Sequence, residues 1–189
     1  MDNRPMIAKL KNAGISFTKG LSDEEFIRIE STLGFRFPAE IRSFLACGLP
    51  VGEGFYNWRD LSIANVEKFH PFSLSIDNAF RFDFENNTDE LHNILGDRFS
   101  EMAKQKFCAK AVLDYLHQST KLIPFFAHRY FFDGMDNMPI VSFWQPTDTI
   151  FYGENFEDYL ATEFLGKKHC ISQVPKQMKD TGIWYYLIR

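Results

Sequence analysis

The 189-residue sequence has few cysteines, no long apolar run and none of the short motifs that identify common enzymes. Cys47, Cys108 and Cys170 are an odd number without a Cys-x-x-Cys pair, so we expect buried free thiols in a reducing cytoplasm rather than a disulfide framework. No apolar stretch approaches the ~20 residues that cross a bilayer. The first residues also lack the apolar core of a secretory signal. The sequence therefore predicts a cytoplasmic protein that does not bind membranes.

Patterns for metal binding and catalysis are missing as well. The five histidines show no His-x-His or His-Glu-x-x-His spacing, which disfavours a locally assembled zinc site. Residues 133–137 lack the alternating oxygen ligands of a calcium loop and are predicted to form a hairpin turn. No glycine-rich phosphate motif and no Gly-x-Ser-x-Gly is present. We therefore expect no cofactor and predict that the protein is not an enzyme.

Positive charge is scarce outside the C-terminal segment. The net charge is −4, but residues 166–189 carry five Lys or Arg and one Asp, which leaves residues 1–165 strongly acidic. An acidic body disfavours nucleic acid as the main partner. It favours a basic protein partner, because opposite potentials steer encounter. The alternative is that these charges only keep the surface solvated.

Aromatic residues, by contrast, are abundant, and the 21 phenylalanines predict a core dominated by aromatic packing. A first helix is predicted from Arg4 to Ala13. Ser22 and Glu25 match a capping box that begins a second helix, and Gly34 is suited to end it. Pro38 is suited to the start of a third helix.

The middle of the chain predicts more helices and one strand. Helices are expected from Ile63 to Phe69, from Asp89 to Leu95 and from Phe99 to Ser119. Ala79–Asn86 alternates between Phe and charged residues, which predicts a half-buried strand.

The last third predicts an antiparallel meander followed by a helix. Leu122–Asp133, Pro139–Gln145 and Thr149–Tyr152 are β-rich runs separated by turn residues, and Asn155 is suited to cap a following helix. This order predicts an α+β fold in which N-terminal and flanking helices surround a central, mostly antiparallel sheet. We expect residues 1–189 to form a single domain.

The order of motifs in the first third resembles the Smi/Knr family of the SUKH superfamily. The resemblance rests on Leu21-Ser22 with the following acidic residues, Leu33-Gly34, Phe37-Pro38 and Asn57-Trp58-Arg59-Asp60. The later motifs that match this family are 122–124, 127–130, 139–142, 149–153, 155–160 and Trp184. Many bacterial members are immunity proteins for polymorphic toxins, and fungal relatives regulate cell-wall synthesis. The resemblance implies a protein that binds and neutralises a cognate toxin, such as a basic nuclease.

Candidate contact residues are acidic or aromatic side chains at the Gly-rich corner, along the polar face of the predicted strand and at strand-end loops. They are Glu53, Asp60, Asp83, Glu85, Asp133, Asp136, Trp144 and Asp148. A housekeeping scaffold or regulatory module is an alternative to the immunity protein. A second alternative is an enzyme or small-molecule binder whose site joins distant residues.

Two further residue pairs have both a structural and a functional interpretation. Trp58 and Arg59 are predicted to pack over the first helices and to pair with Asp60 or a nearby carboxylate. The alternative is that they form the rim of a cleft. His128, beside Arg129, is predicted to be a histidine at the edge of the core, and the alternative is a polar contact at a groove.

Overall fold

The computed structural model describes residues 2–62, 76–169 and 175–188. Within these ranges the chain forms the predicted α+β fold, in which helices pack on both faces of a four-stranded antiparallel sheet. A second sheet of two short strands belongs to the N-terminal region. The predicted helix from Ile63 to Phe69 lies outside the described residues.

The N-terminal region alternates short helices and strands. Its elements are α1 (Arg4–Asn12), β1 (Ser16–Thr18), α2 (Asp23–Leu33), α3 (Ala39–Cys47) and β2 (Leu49–Val51). Strands β1 and β2 pair antiparallel, with Phe17 opposite Pro50. This pairing was not predicted, because strands of three residues leave almost no periodicity in the sequence.

The predicted capping box at the start of α2 is confirmed. The Ser22 hydroxyl accepts a hydrogen bond from the Glu25 N–H at 3.3 Å, and the Glu25 carboxylate accepts one from the Ser22 N–H at 2.8 Å. Gly34 ends the helix at φ 68°, in the left-handed region that glycine adopts without strain. These local bonds fix the position of Glu25, which also binds Arg59.

The strand predicted for Ala79–Asn86 is wrong, because this segment belongs to helix α4, described over residues 76–86. Phe80 and Phe84 are four residues apart, so one helix face carries both toward the core, while Phe82 remains 51% exposed. Phenylalanines at every second position are therefore compatible with an amphipathic helix as well as with a half-buried strand. The helix also places Asp83 on the same face as Phe80, where it is fully buried.

The next helices differ from the prediction in their boundaries. Helix α5 (Thr88–Ala103) runs through Gly96, and α6 (Ala109–Leu116) follows a break at Lys104, whose φ is 52°. Gly96 lies inside α5 and does not end it, and the His92 ring packs so closely there that a Cβ at Gly96 would lie 2.8 Å from that ring. The sequence predicts a short helix followed by a long one, whereas the structure has a long helix followed by a short one.

The predicted meander is confirmed as the main sheet, with strand order β3-β4-β5-β6. Its strands are β3 (Leu122–Phe126), β4 (Arg129–Phe132), β5 (Val141–Gln145) and β6 (Asp148–Phe151). Helix α7 (Phe156–Phe164) follows, and the Asn155 side chain accepts from the Asp158 N–H at 2.9 Å, as a cap. A 3₁₀ helix (Lys176–Thr181) and α8 (Trp184–Leu187) complete the described chain.

The main sheet separates two buried clusters, because successive strand residues point to opposite faces. Ile123, Phe125 and Phe131 face the cluster formed with α1, α2, α3 and α7. Tyr130 and Phe132 face the cluster formed with α4, α5, α6 and α8. Aromatic residues dominate both clusters, as the composition predicts.

The two described cysteines, Cys47 and Cys108, are both exposed, which corrects the prediction of buried thiols. Cys47 is the last residue of α3 and lies off the stripe of Ile41, Phe44 and Leu45 that the helix buries. Cys108 precedes the first turn of α6, and Cys170 lies outside the described residues. None of the described helices combines the length and apolar character needed to cross a bilayer.

Candidate functional site

The outer part of one sheet face carries the exposed side chains of Trp144, Asp148 and Ile150 and the partly buried His128, which together we call the Trp144 patch. Trp144 is 68% exposed and Ile150 is 38% exposed, whereas Trp58 and Trp184 are buried. Asp148 and Ile150 are two residues apart on β6 and therefore share a face. The His128 ring stands perpendicular to the indole of Trp144, with 5.7 Å between the ring centroids.

Trp144 projects from an irregularity in the pairing of β5 with β6. The register shifts between Phe143 and Gln145, so Trp144 lies at a bulge beside the turn. The Thr149 hydroxyl donates to the Gln145 carbonyl at 2.8 Å and closes the turn. The Thr147 N–H donates to the buried carboxylate of Asp83 at 2.9 Å, which anchors the turn to α4.

Arg129 is the first residue of β4, directly after His128, and is almost completely buried. Its guanidinium donates to Glu163 and to the Ser142 hydroxyl, both at 2.9 Å. It also lies 3.7 Å from the centroid of the Tyr152 ring. Glu163 offsets part of the charge of Arg129, but the positive charge of Arg129 still acts on the neighbouring His128.

Asp148 supplies the charge of the Trp144 patch at neutral pH. Partial burial lowers the pKa of His128 and Arg129 lowers it further, while Glu163 and Asp148 act in the opposite direction. A histidine whose pKa lies below its usual value is uncharged at pH 7. Among the described residues, no hydrogen bond or ion pair to the Asp148 side chain is found. The patch thus combines an open aromatic surface with a solvated carboxylate.

Asp133 and Asp136 come together at the start of α3, where their carboxylates bind backbone. Asp133 accepts from the Arg36 N–H at 2.7 Å, and Asp136 accepts from the Ala39 N–H at 2.6 Å. Glu40 accepts in return from the Asn137 N–H at 2.9 Å. These bonds clamp the 133–137 turn to α3, which gives both aspartates a structural role and confirms the hairpin turn.

Asp83 and Glu85 have different environments although they are close in sequence. Asp83 is fully buried and its carboxylate accepts from the Asn87 side chain at 2.7 Å and from Thr147. Its predicted position on an exposed strand face is therefore corrected. Glu85 is exposed, and with residues 86–90 it lines a shallow groove between α4 and α5.

Glu53 and Asp60 lie at the Gly-rich corner, where the Gly54 carbonyl accepts from the Ala127 N–H at 2.8 Å. Both are exposed, and Asp60 accepts from the Ser62 N–H at 3.0 Å. A half-open groove of about 470 Å³ lies beside this corner, between β1, β2 and Arg59. The predicted contact residues thus fall in four pairs, which are Trp144 and Asp148 on β5 and β6, Asp83 and Glu85 on α4, Asp133 and Asp136 in the turn after β4, and Glu53 and Asp60 at the Gly-rich corner.

Trp58 and Arg59 both contact other parts of the chain, which agrees with their structural interpretation. Trp58 is 2% exposed and packs against Phe35 and Phe37, with ring centroids 5.7 and 4.9 Å away. Arg59 pairs with Glu25 rather than Asp60, at 2.7 Å from Nε to the carboxylate. It also donates to the carbonyls of Lys19 and Gly20 at 2.8 and 2.9 Å. Arg59 lines the corner groove, but its guanidinium is hydrogen-bonded to groups of the chain itself.

The pair of Arg59 with Glu25 predicts a pH-dependent contribution to stability. Hydrogen bonds from Arg59 and from the Ser22 N–H hold the pKa of Glu25 below its usual range. A carboxylate whose folded-state pKa is lowered stabilises the fold above its unfolded pKa of about 4.3, and this stabilisation is lost as pH falls toward the folded value. We therefore expect Arg59→Gln to lose stability at pH 6 and to lose less additional stability than the wild type between about pH 5 and pH 3.

Urea unfolding at a series of pH values measures this difference. Arg81→Gln, at an exposed position on α4, is the control and is expected to follow the wild-type profile. Parallel stability profiles for Arg59→Gln and the wild type would contradict the prediction.

The described histidines have separate surroundings. His117 Nε2 lies 2.9 Å from Asp77, and the His169 ring contacts the Phe151 carbonyl at 2.6 Å and the Tyr152 ring. Within residues 2–62, 76–169 and 175–188, no three or more His, Cys, Asp or Glu side chains are grouped so that they could hold a metal ion.

Sequence reasoning identified Trp144 and Asp148 but missed Ile150 and the contact of His128 with Trp144. The alternation of β6 is visible in the sequence and could have placed Ile150 beside Asp148. The contact of His128 depends on the pairing of β4 with β5, which no local pattern specifies. A comparison of the chain with protein-family models, with curated proteins and with solved structures yields no match.

Proposed function

We propose that the protein is a non-catalytic binding domain that acts as an immunity protein, and that it neutralises a cognate toxin by covering the toxin's surface. The observation that carries this proposal is the exposure of Trp144 beside Ile150 and Asp148. Solvent-exposed tryptophans that are ringed by apolar and charged groups are frequent anchors of protein interfaces. The resemblance to the Smi/Knr family supports the toxin as the class of partner.

The charge of the chain supports a basic partner. Residues 1–165 are acidic, and a basic nuclease domain would be attracted over a distance by this potential. Asp148 lies beside the proposed anchor and its carboxylate is solvated. By contrast, Asp83, Asp133 and Asp136 bind groups within the chain, and we do not include them in the proposed contact surface. In this role the protein acts in the cytoplasm, before or while the toxin reaches its target.

Trp144→Ala is expected to weaken toxin binding by about 30-fold, since loss of an interface anchor typically reduces affinity by about 2 kcal/mol. The genes beside that of this protein are searched for a secreted toxin, and the toxin domain found there is the partner to test. Isothermal titration calorimetry gives the affinity, and an assay of toxin activity gives the neutralisation.

Ile27→Ala is a matched control, because Ile27 is 63% exposed on α2 and does not belong to the Trp144 patch. It is expected to bind the toxin like the wild type. If wild-type protein does not bind or neutralise the toxin, the immunity function is wrong. If the wild type binds but both variants bind equally well, the contact surface lies elsewhere.

A further inference from the structure

We propose that the Trp144 patch receives an arginine side chain of the partner, whose guanidinium stacks on the indole and pairs with the Asp148 carboxylate. This inference rests on the proposed function and names the chemical group that the surface recognises. Ile150 lies beside Asp148 on the same face and offers an apolar contact to the methylene groups of that arginine.

The first argument is that the patch offers both an aromatic surface and a carboxylate, and that no cation among the described residues binds to either. The His128 ring is perpendicular to the indole, and 68% of Trp144 remains exposed. In the described parts of the chain, the cations that lie over rings are Lys11 on Phe17, Arg42 on Phe26 and Arg129 on Tyr152. Tryptophan has the most favourable ring for this interaction, yet none of the described cations lies over Trp144.

The second argument is that a guanidinium bound by both a ring and a carboxylate also occurs within the chain. Arg129 lies on the Tyr152 ring and donates to Glu163 at 2.9 Å. Arg42 lies 4.3 Å from the centroid of Phe26 and donates to Asp23 at 2.9 Å. In both cases one guanidinium is shared by a ring and a carboxylate. On the surface, Trp144 supplies the ring and Asp148 supplies the carboxylate, and an arginine of the partner would supply the guanidinium.

The geometry favours arginine over lysine. A guanidinium is planar, so it can stack on a ring while its N–H groups, which lie in its own plane, point outward toward a carboxylate. A lysine ammonium is a strongly hydrated point charge and stacks less well. The acidic character of residues 1–165 agrees with a cationic group on the partner.

The test uses three blocked dipeptides, Ac-Leu-Arg-NH2, Ac-Leu-Lys-NH2 and Ac-Leu-citrulline-NH2, titrated into the ¹⁵N-labelled full chain at pH 7. The indole N–H signals of the three tryptophans are followed by NMR. Trp58 and Trp184 are internal controls, because they are 2% and 1% exposed and the Trp184 indole N–H is bonded to the Thr120 carbonyl at 2.7 Å. We expect the arginine peptide to shift the Trp144 signal saturably, with an affinity about fivefold higher than that of the lysine peptide. The citrulline peptide, which lacks the charge, is expected to bind more weakly still.

Asp148→Asn is expected to reduce the affinity for the arginine peptide by about fivefold and to remove most of the preference over citrulline. Equal affinities for the arginine and citrulline peptides would overturn the proposal. So would an unchanged affinity in Asp148→Asn, or the absence of a Trp144 shift up to about 50 mM peptide, a concentration at which even weak single-residue contacts are detected. If Trp144→Ala weakens toxin binding while the peptides show no preference for arginine, the arginine inference fails and the proposed function stands. If the peptides behave as expected but the toxin is not bound, the function fails instead.

Discussion

Trp184→Ala is expected to lower the free energy of unfolding by about 4 kcal/mol, which is a large part of the stability of a domain of this size. Trp184 is 1% exposed and packs between Phe80 on α4 and Phe143 on β5, with ring centroids 6.3 and 5.6 Å away. Its indole N–H donates to the Thr120 carbonyl. Alanine would leave a large cavity and an unpaired carbonyl in the cluster between the sheet and the C-terminal helix. Urea unfolding followed by circular dichroism measures the change.

Trp144→Ala is the matched control, because it removes the same side chain from an exposed position. We expect its free energy of unfolding to stay within about 0.5 kcal/mol of the wild type. If Trp184→Ala does not fold, Trp184→Phe keeps most of the ring volume and is expected to lose about 2 kcal/mol. Equal stabilities of the two alanine variants would contradict the assignment of Trp184 to the core.

Local chemistry explains which parts of the fold the sequence predicts. The capping box of α2 and the Asn155 cap of α7 each depend on residues three positions apart, and both are confirmed. The meander is confirmed for a similar reason, because turn residues separate its β-rich runs. Segment 79–86 was assigned wrongly, since phenylalanines at every second position also place Phe80 and Phe84 on one helical face.

The roles of the acidic residues depend on distant contacts, so the sequence could not reveal them. Asp133 and Asp136 bind backbone that lies 97 residues away in the sequence. Asp83 reaches Thr147 across 64 residues. In the sequence these carboxylates resemble Asp148, whose side chain is solvated. Hydrogen bonding in the folded chain separates structural carboxylates from candidate contacts, because Asp136 is exposed and still accepts from backbone. Trp144 is identifiable from the sequence because a tryptophan at a strand end beside a turn is rarely buried completely.

The buried carboxylate of Asp83 gives the second prediction with a large effect. Asp83→Ala is expected to lower the free energy of unfolding by about 3 kcal/mol, because the Thr147 N–H and the Asn87 side chain would each lose a charged acceptor. Helix α4 and the β5–β6 turn would then no longer be joined by a hydrogen bond through this carboxylate. Urea unfolding measures the change.

Glu85→Ala is the control on the same helix, since Glu85 is exposed and its loss is expected to change stability by less than about 0.5 kcal/mol. Asp83→Asn keeps one acceptor oxygen and is expected to lie between the two alanine variants. Because the turn that Asp83 anchors also positions Trp144 and Asp148, Asp83→Ala should broaden or shift the indole N–H signal of Trp144, while Glu85→Ala leaves it unchanged. A stable Asp83→Ala variant with an unaltered Trp144 signal would mean that this buried carboxylate neither stabilises the fold nor positions the β5–β6 turn.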